Sequence, residues 1–327
     1  MGDVNYTPAI TPAFFIGGEI IALFTKADLT IMQKYPLNVK IGRTQARIME
    51  YYRELSGRIY VAVSGGKDSV VLLDIVRRLY PDVLAVFCDT HLEYPELRQF
   101  VKTIPNVEWL QPQMTFQEVI KTRGYPVVSK ELARTIYYAR RGSVWALMKM
   151  DGFFKNGTRC ERYQRYIKYK YLLDAPFPIS AACCDEMKIK PFRRFETQSG
   201  LHPITGVMAE ESFMRQSAWM KNGCNSFNGR RAMSNPLSFW TEQNILRYLL
   251  LTGIPYAPVY GEIVEENGKL KTTGCRRTGC YACLYGIQNE PEPNRYQRMR
   301  ETHPRLYVYC VDTLKCGAVL DYMNVKY

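Results

Sequence analysis

Residues 60–76 read YVAVSGGKDSVVLLDIV. An apolar run breaks into Ser64-Gly65-Gly66-Lys67-Asp68-Ser69, and a second apolar run follows at once. The run Ile59–Val63 is β-branched and aromatic, which predicts a short buried strand, and the periodicity of 69–79 predicts a helix. A strand that enters a helix N-terminus through a glycine turn is an anion site, because free backbone N–H groups converge there and the helix dipole adds positive charge. Gly65 and Gly66 let a ligand come close to the backbone. Lys67 can offer a point charge to phosphate oxygens. Ser64 and Ser69 can donate hydroxyl hydrogen bonds, and Asp68 can cap the helix or hold Mg²⁺. The Walker phosphate loop is excluded, since Val61 stands where its first glycine belongs and Asp68 follows the lysine. The G-x-G-x-x-G dinucleotide pattern is absent too. An inert connecting turn would not need Ser, Lys, Asp and Ser together.

The flanking sequence repeats the strand–helix alternation. A helix is expected over 41–55, strands over 83–88, 107–110 and 204–207, and helices over 115–122 and 241–251. Short apolar runs between amphipathic helices predict an α/β fold, a parallel twisted sheet with helices on both faces. The expected division is a helical N-terminal extension (1–56), an α/β nucleotide-binding domain (57–252) and a loop-rich, cysteine-containing C-terminal region (253–327). The apolar run 14–24 contains Gly17, Gly18 and Glu19 with no basic residue before it, so it does not read as a signal peptide. No stretch is long and apolar enough to span a bilayer, and a cytoplasmic protein is expected.

Across 327 residues the formal net charge is +13. Much of the excess sits in an insert at 134–172, where ten Lys/Arg meet two acidic residues, a net of +8, among six tyrosines. Such a segment suits a nucleic-acid backbone with base stacking, and equally a helical hairpin whose rings pack inward.

SGGKDS resembles the pyrophosphate-binding loop of the N-type ATP pyrophosphatases, the PP-loop of the adenine nucleotide alpha hydrolase-like superfamily. Within it the chain resembles the phosphoadenosine phosphosulfate (PAPS) reductase family. FCDTHLEYPEL from Phe87, CCDEMKIKPFRRF from Cys183, GVMAEESFMRQS from Gly206 and NPLSFWTEQNILRYLLLTGIPYAPVY from Asn235 follow in that family's order. The resemblance implies that Ser64, Gly65, Gly66, Lys67, Asp68 and Ser69 hold phosphates, with Asp89 and Thr90 at the carboxyl end of the next strand. It makes Arg193, Arg194 and Arg215 phosphate or sulfate ligands, and Lys67, Asp68 and Arg215 the catalytic set. Each arginine alone also reads as a solvated surface charge.

Ten cysteines need an explanation where disulfides are rare. Cys275, Cys280 and Cys283 form C-x4-C-x2-C in a glycine-rich loop, which points to a metal, either zinc or an iron–sulfur cluster. The spacing alone also admits Cys310 or Cys316 as a distant fourth ligand. In adenylylsulfate reductases a Cys-Cys pair and a distant C-x-x-C hold a 4Fe–4S cluster, and Cys183-Cys184 with Cys280 and Cys283 resemble that arrangement. Five thiols then compete for four places. The expected set is Cys184, Cys275, Cys280 and Cys283, with Cys183 in reserve and zinc as the alternative metal. The tail departs from the family: Cys316-Gly317 survives of a Glu-Cys-Gly-Leu/Ile-His motif, and Cys316 reads as a packed thiol.

With these features, the resemblance implies as the expected function an AMP-forming ATP pyrophosphatase with an Fe–S cluster and Mg²⁺ that transfers sulfur to a nucleic acid. Its expected partners are an adenine nucleotide, tRNA or DNA at the basic segment and a sulfur donor or thiol reductant, with a homo-oligomer allowed. The alternative is a thiol-dependent reductase of adenylylsulfate (APS) or PAPS that releases sulfite. A third reading is a non-catalytic nucleotide-sensing or nucleic-acid-binding module.

Overall fold

The computed structural model describes residues 23–227 and 231–327, with two short antiparallel strands, β1 (Phe15–Ile16) and β2 (Glu19–Ile20), ahead of them. Of the apolar run 14–24, residues 14, 17, 18, 21 and 22 lie outside the described residues. Six further strands form the main sheet: β3 (Ile59–Val63), β4 (Ala85–Cys88), β5 (Val107–Leu110), β6 (His202–Thr205), β7 (Asn225–Ser226) and β8 (Met233–Ser234). Their order is β5-β4-β3-β6-β8-β7. β3 runs parallel to β6 and β6 to β8, while β7 closes an edge antiparallel to β8. The fold is α/β with a mostly parallel sheet, as the alternating apolar runs predict.

The chain separates into two compact units. One comprises the described residues up to Val86 together with Leu201–Gly274; the other comprises Phe87–Gly200 and Cys275–Tyr327.

In the first unit, β3 is almost completely buried, which is why its sequence is a continuous apolar run rather than an alternating one. The following helix, Lys67–Leu79, packs on β3 and on the helices Leu37–Glu54 and Glu242–Thr252. Leu72, Ile75 and Val76 supply its buried face. Trp240 is fully buried and donates Nε1–H to Thr44 Oγ1 at 2.8 Å, and Thr44 in turn donates to the Pro236 carbonyl at 3.2 Å. A buried indole with its polar hydrogen satisfied secures the Asn235–Trp240 turn. Strands β9 (Ile263–Glu266) and β10 (Lys269–Thr272) make an antiparallel hairpin around Asn267-Gly268.

Several boundaries differ from the sequence expectation. The helix after the loop begins at Lys67 rather than Ser69, because Gly66 is its extended N-cap and Lys67 and Asp68 form the first turn. The helix expected over 41–55 runs Leu37–Glu54, starting directly after Pro36. β6 pairs over His202–Thr205, two residues before the apolar run 204–207, because its register is set from His202 opposite Ile59.

The second unit holds the basic insert as three short helices, Lys130–Ala139, Val144–Met150 and Glu161–Ile167, packed in sequence order. Among the described residues no helix is long and apolar enough to cross a membrane.

Candidate functional site

In the first unit the loop after β3 is tied to itself. Gly65 has φ +73°, a left-handed turn that favours glycine. Ser69 Oγ accepts from the Ser64 N–H at 3.1 Å and donates to the Gly66 carbonyl at 2.8 Å; Ser64 Oγ accepts from the Gly66 N–H at 3.3 Å. The serines expected to bind ligand therefore also shape the turn. Ser64 is exposed, while Gly65, Gly66, Lys67 and Ser69 are buried.

Lys67 is only 3% exposed. Its Nζ lies 3.3 Å from the Glu242 carboxylate and 5.3 Å from the centre of the Tyr260 ring, and its backbone N–H donates to Tyr260 Oη at 3.3 Å. Glu242 and Tyr260 are the residues that motif reading passed over. Both lie in the stretch 235–260, but nothing in its spacing separates them from ordinary helix and loop positions. The Gly206 backbone lies against this loop, so that a Cβ there would come within 3.1 Å of the Asp68 carbonyl oxygen.

Tyr260 is itself fixed by glycine. The Gly274 N–H donates to the Tyr260 carbonyl at 2.8 Å, and a Cβ on Gly274 would stand 2.4 Å from the Val259 carbonyl oxygen. Gly274→Ala is therefore expected to destabilise the protein by about 1–3 kcal/mol. Urea denaturation checks the effect.

Arg215 sits in the first turn of the helix Phe213–Asn222 and is ion-paired with Glu211. Its exposure is that of a surface guanidinium.

In the second unit, Asp89 and Thr90 stand at the carboxyl end of β4, both 3% exposed. Arg98 grips Asp89 with two hydrogen bonds of 2.9 and 2.6 Å. Thr90 donates its hydroxyl to the Glu93 carboxylate at 2.8 Å, and Lys188 Nζ lies 3.4 Å from that same carboxylate. Arg193 and Arg194 are exposed on the helix Lys190–Ser199, where Arg194 donates to the Gln111 carbonyl at 3.3 Å.

All ten cysteines are free thiols. Cys183 and Cys184 head a π-helical turn, with their sulfurs 3.9 Å apart. The Cys183 thiol donates to Cys184, which pulls Cys184 toward the thiolate against the cost of burial, with Lys130 and Lys188 adding positive charge. Cys183 is held protonated by the same hydrogen bond and by burial, and the charges of Cys283 and Cys280 act in the same direction. Burial pushes Cys280 up to about 11, partly offset by Lys188. Burial also raises Cys283, against a backbone hydrogen bond from Tyr285 and the Arg295 guanidinium. Cys183, Cys184, Cys280 and Cys283 thus form one electrostatic neighbourhood. The charged neighbours of Cys275 are instead Arg298 and Glu96. Among the described residues no three His, Cys, Asp or Glu side chains converge as a ready metal site. Cys316 is fully buried at the start of the helix Cys316–Tyr322, and burial pushes its thiol up to about 12, against a hydrogen bond with Tyr296.

The profile of the phosphoadenosine phosphosulfate reductase domain matches residues 58–126 and 105–285, a span that takes in the Ser64–Ser69 loop, the double cysteine and Cys280-x-x-Cys283. The chain belongs to this family. It is 25% identical over 212 residues to the adenosine 5′-phosphosulfate reductase of Lysinibacillus sphaericus, covering 64% of this chain and 71% of that one. With the phosphoadenosine 5′-phosphosulfate reductase of Alkalilimnicola ehrlichii it shares 24% over 230 residues, covering 70% and 76%. An uncharacterized protein of Methanocaldococcus jannaschii is 21% identical over 279 residues, which are 82% of this chain and 51% of that longer one. Among solved structures, the PAPS reductase of Candida auris in its phosphate complex aligns with a TM-score of 0.40 and 13% identity, over 75% of this chain and 98% of that one.

Proposed function

We propose that this chain is an enzyme of sulfur metabolism that binds an adenosine sulfonucleotide at Ser64–Ser69 and releases sulfite through thiol chemistry. The observation that carries the reading is the family match, which spans the phosphate loop and both cysteine pairs. Lys67, the loop N–H groups and the helix dipole would hold the nucleotide phosphate and stabilise its charge as it leaves. A thiolate would attack the sulfate sulfur. The S–O bond to the phosphate would break with its electron pair passing to the nucleotide, leaving an S-sulfonated cysteine. A second thiol would attack that cysteine's sulfur, expelling sulfite and forming a disulfide for an external thiol to reduce.

Cys183, Cys184, Cys280 and Cys283 would supply four soft sulfur donors of the kind a 4Fe–4S cluster takes, with zinc as the alternative. Among the described residues they do not converge as a preformed site, and Cys275 of the expected set has Arg298 and Glu96 as its charged neighbours instead. Cluster binding would tie the 183–184 turn to the 280–283 turn. Anaerobic purification is expected to yield iron and sulfide, both lost in Cys280→Ser and retained in Cys275→Ser. A colourless protein holding one zinc would reverse the choice of metal.

One observation favours a second reading, the AMP-forming ATP pyrophosphatase that delivers sulfur. The tail thiol Cys316, the position where reductases would place a nucleophile, is fully buried here. The two separate in one assay pair. Thiol-dependent sulfite release from APS or PAPS that disappears in Cys316→Ser supports the reductase. Pyrophosphate release from ATP, stimulated by nucleic acid and unaffected by Cys316→Ser, supports sulfur delivery and overturns the first reading.

A further inference from the structure

The three helices of the basic insert are organised around one carboxylate. Glu131 Oε1 accepts from Lys149 Nζ at 2.7 Å, and Oε2 receives Arg162 at 3.3 Å and Arg165 at 3.5 Å. Three cations share one anion, so the cluster keeps surplus positive charge. Lys149 is buried among the rings of Trp145, Tyr163 and Tyr166, 4.8–5.4 Å from each centre. Tyr163 and Tyr166 are thereby spent on packing, stacked on one another at 5.8 Å. The Arg162 and Arg165 side chains are 57% and 58% exposed. Among the described residues, Arg134, Arg141, Lys155, Arg159 and Lys168 are exposed with no carboxylate at ion-pair distance.

The exposed rings of this region are not chiefly the tyrosines of ERYQRYIKYKYL. They are Tyr138, Trp145, Phe153, Phe154 and Tyr171, each 39–47% exposed. Each of these rings keeps part of its surface on the fold, Trp145 against Lys149 and Phe154 edge-on to Tyr163 at 5.5 Å, and turns the rest to water beside cations with no carboxylate at ion-pair distance. A partner that supplies both negative charge and flat apolar faces would cover both. An acidic protein surface would offer charge without stackable faces, and a nucleic-acid duplex hides its base faces.

We propose that the 130–171 helices bind single-stranded nucleic acid, with Arg134, Arg159, Arg162 and Arg165 neutralising phosphates and Trp145 and Phe154 stacking on bases. This assignment is independent of the reaction at the Ser64–Ser69 loop. Unpaired bases accept any aromatic face, so the site should tolerate sequence variation.

Fluorescence anisotropy with labelled rU20 and dT20 tests it, using a 20-bp duplex, heparin and poly-glutamate as competitors. Binding of at least one oligonucleotide is expected to weaken with salt at a log–log slope of about −3, for roughly four phosphates neutralised. Trp145→Ala and Phe154→Ala should each cost roughly tenfold in affinity, with little change in slope. Arg162→Gln/Arg159→Gln should flatten the slope. Phe154→Ala and the arginine variants should keep the wild-type melting temperature within a few degrees. Trp145→Ala, which also opens the ring cage around Lys149, is expected to lower it, and all variants should keep the wild-type nucleotide turnover. The proposal fails if neither oligonucleotide binds, or if Trp145→Ala and Phe154→Ala bind as wild type does. Equal competition by duplex, heparin or poly-glutamate would also overturn it, reducing the patch to a general polyanion or acidic-protein surface.

Discussion

Lys67→Ala is expected to lower nucleotide turnover by about 100- to 1,000-fold, the range typical when a preorganised charge that meets a departing oxyanion is removed. The effect should be large because the ammonium is already positioned. It is buried at the head of a helix, 3.3 Å from Glu242 and beside the Tyr260 ring, so binding a phosphate requires little ordering of a flexible side chain. The ion pair with Glu242 complicates a single substitution, since alanine also leaves a carboxylate at 15% side-chain exposure facing the vacated space. Stability and catalysis should separate in the double variant. Lys67→Ala/Glu242→Gln is expected to recover most of the lost melting temperature and none of the lost turnover. Glu242→Gln alone should tighten nucleotide binding, because the Lys67 ammonium is then released from its ion pair with the Glu242 carboxylate. Steady-state rates with calorimetric titration of ATP and of PAPS check all three. Turnover of Lys67→Ala within tenfold of wild type would remove this lysine from the site.

How much of this could be seen in the sequence depended on how local the cause was. The strand Ile59–Val63 and the loop after it were legible because an apolar run and two glycines act through the backbone they belong to. The helix starts two residues before its periodicity indicates, since whether Lys67 and Asp68 are helical depends on the extended conformation of Gly66. The β9–β10 hairpin carried a usable cue: Asn267-Gly268, at φ 51° and 72°, sits between runs of strand formers, as a two-residue turn requires. The partners of the lysine were not legible. Glu242 and Tyr260 lie far from Lys67 along the chain, and only tertiary packing brings them to it. The cysteines show the same division. Cys280 and Cys283 meet because of their spacing, whereas the surroundings of Cys275 and Cys183 depend on which distant segments fold beside them. In the basic insert, composition indicated charge and rings but not direction, and Lys149 draws Tyr163 and Tyr166 inward.

That inward pull makes the loss of Glu131 costly in stability. Lys149 is 4% exposed, and Glu131 is the carboxylate that compensates it. Breaking a buried pair by removing one partner leaves an uncompensated charge, so Glu131→Ala is expected to destabilise the protein by about 3 kcal/mol. Glu131→Ala/Lys149→Met should regain most of this, because an apolar side chain of similar length can remain among Trp145, Tyr163 and Tyr166. The pair also sets an acid limit. Burial alone would raise the Glu131 carboxyl, but the hydrogen bonds from Lys149 and Tyr166 and the charges of Lys149 and Arg162 bring it down to about 2. Its unfolded value is near that of a free glutamate, about 4.3. A folded value below the unfolded one means the contribution is complete above that unfolded value. It is lost as the pH falls from there toward 2. The urea midpoint of the wild type should therefore drop more steeply than that of Glu131→Gln between pH 5 and pH 3, and the two curves should approach each other at the acid end. Parallel curves across that interval would show that the carboxylate is not what holds the three helices together. The result would then shift the burden to the aromatic rings, and Trp145→Ala, placed above at the nucleic-acid surface, would be expected to lower the melting temperature as well as the affinity.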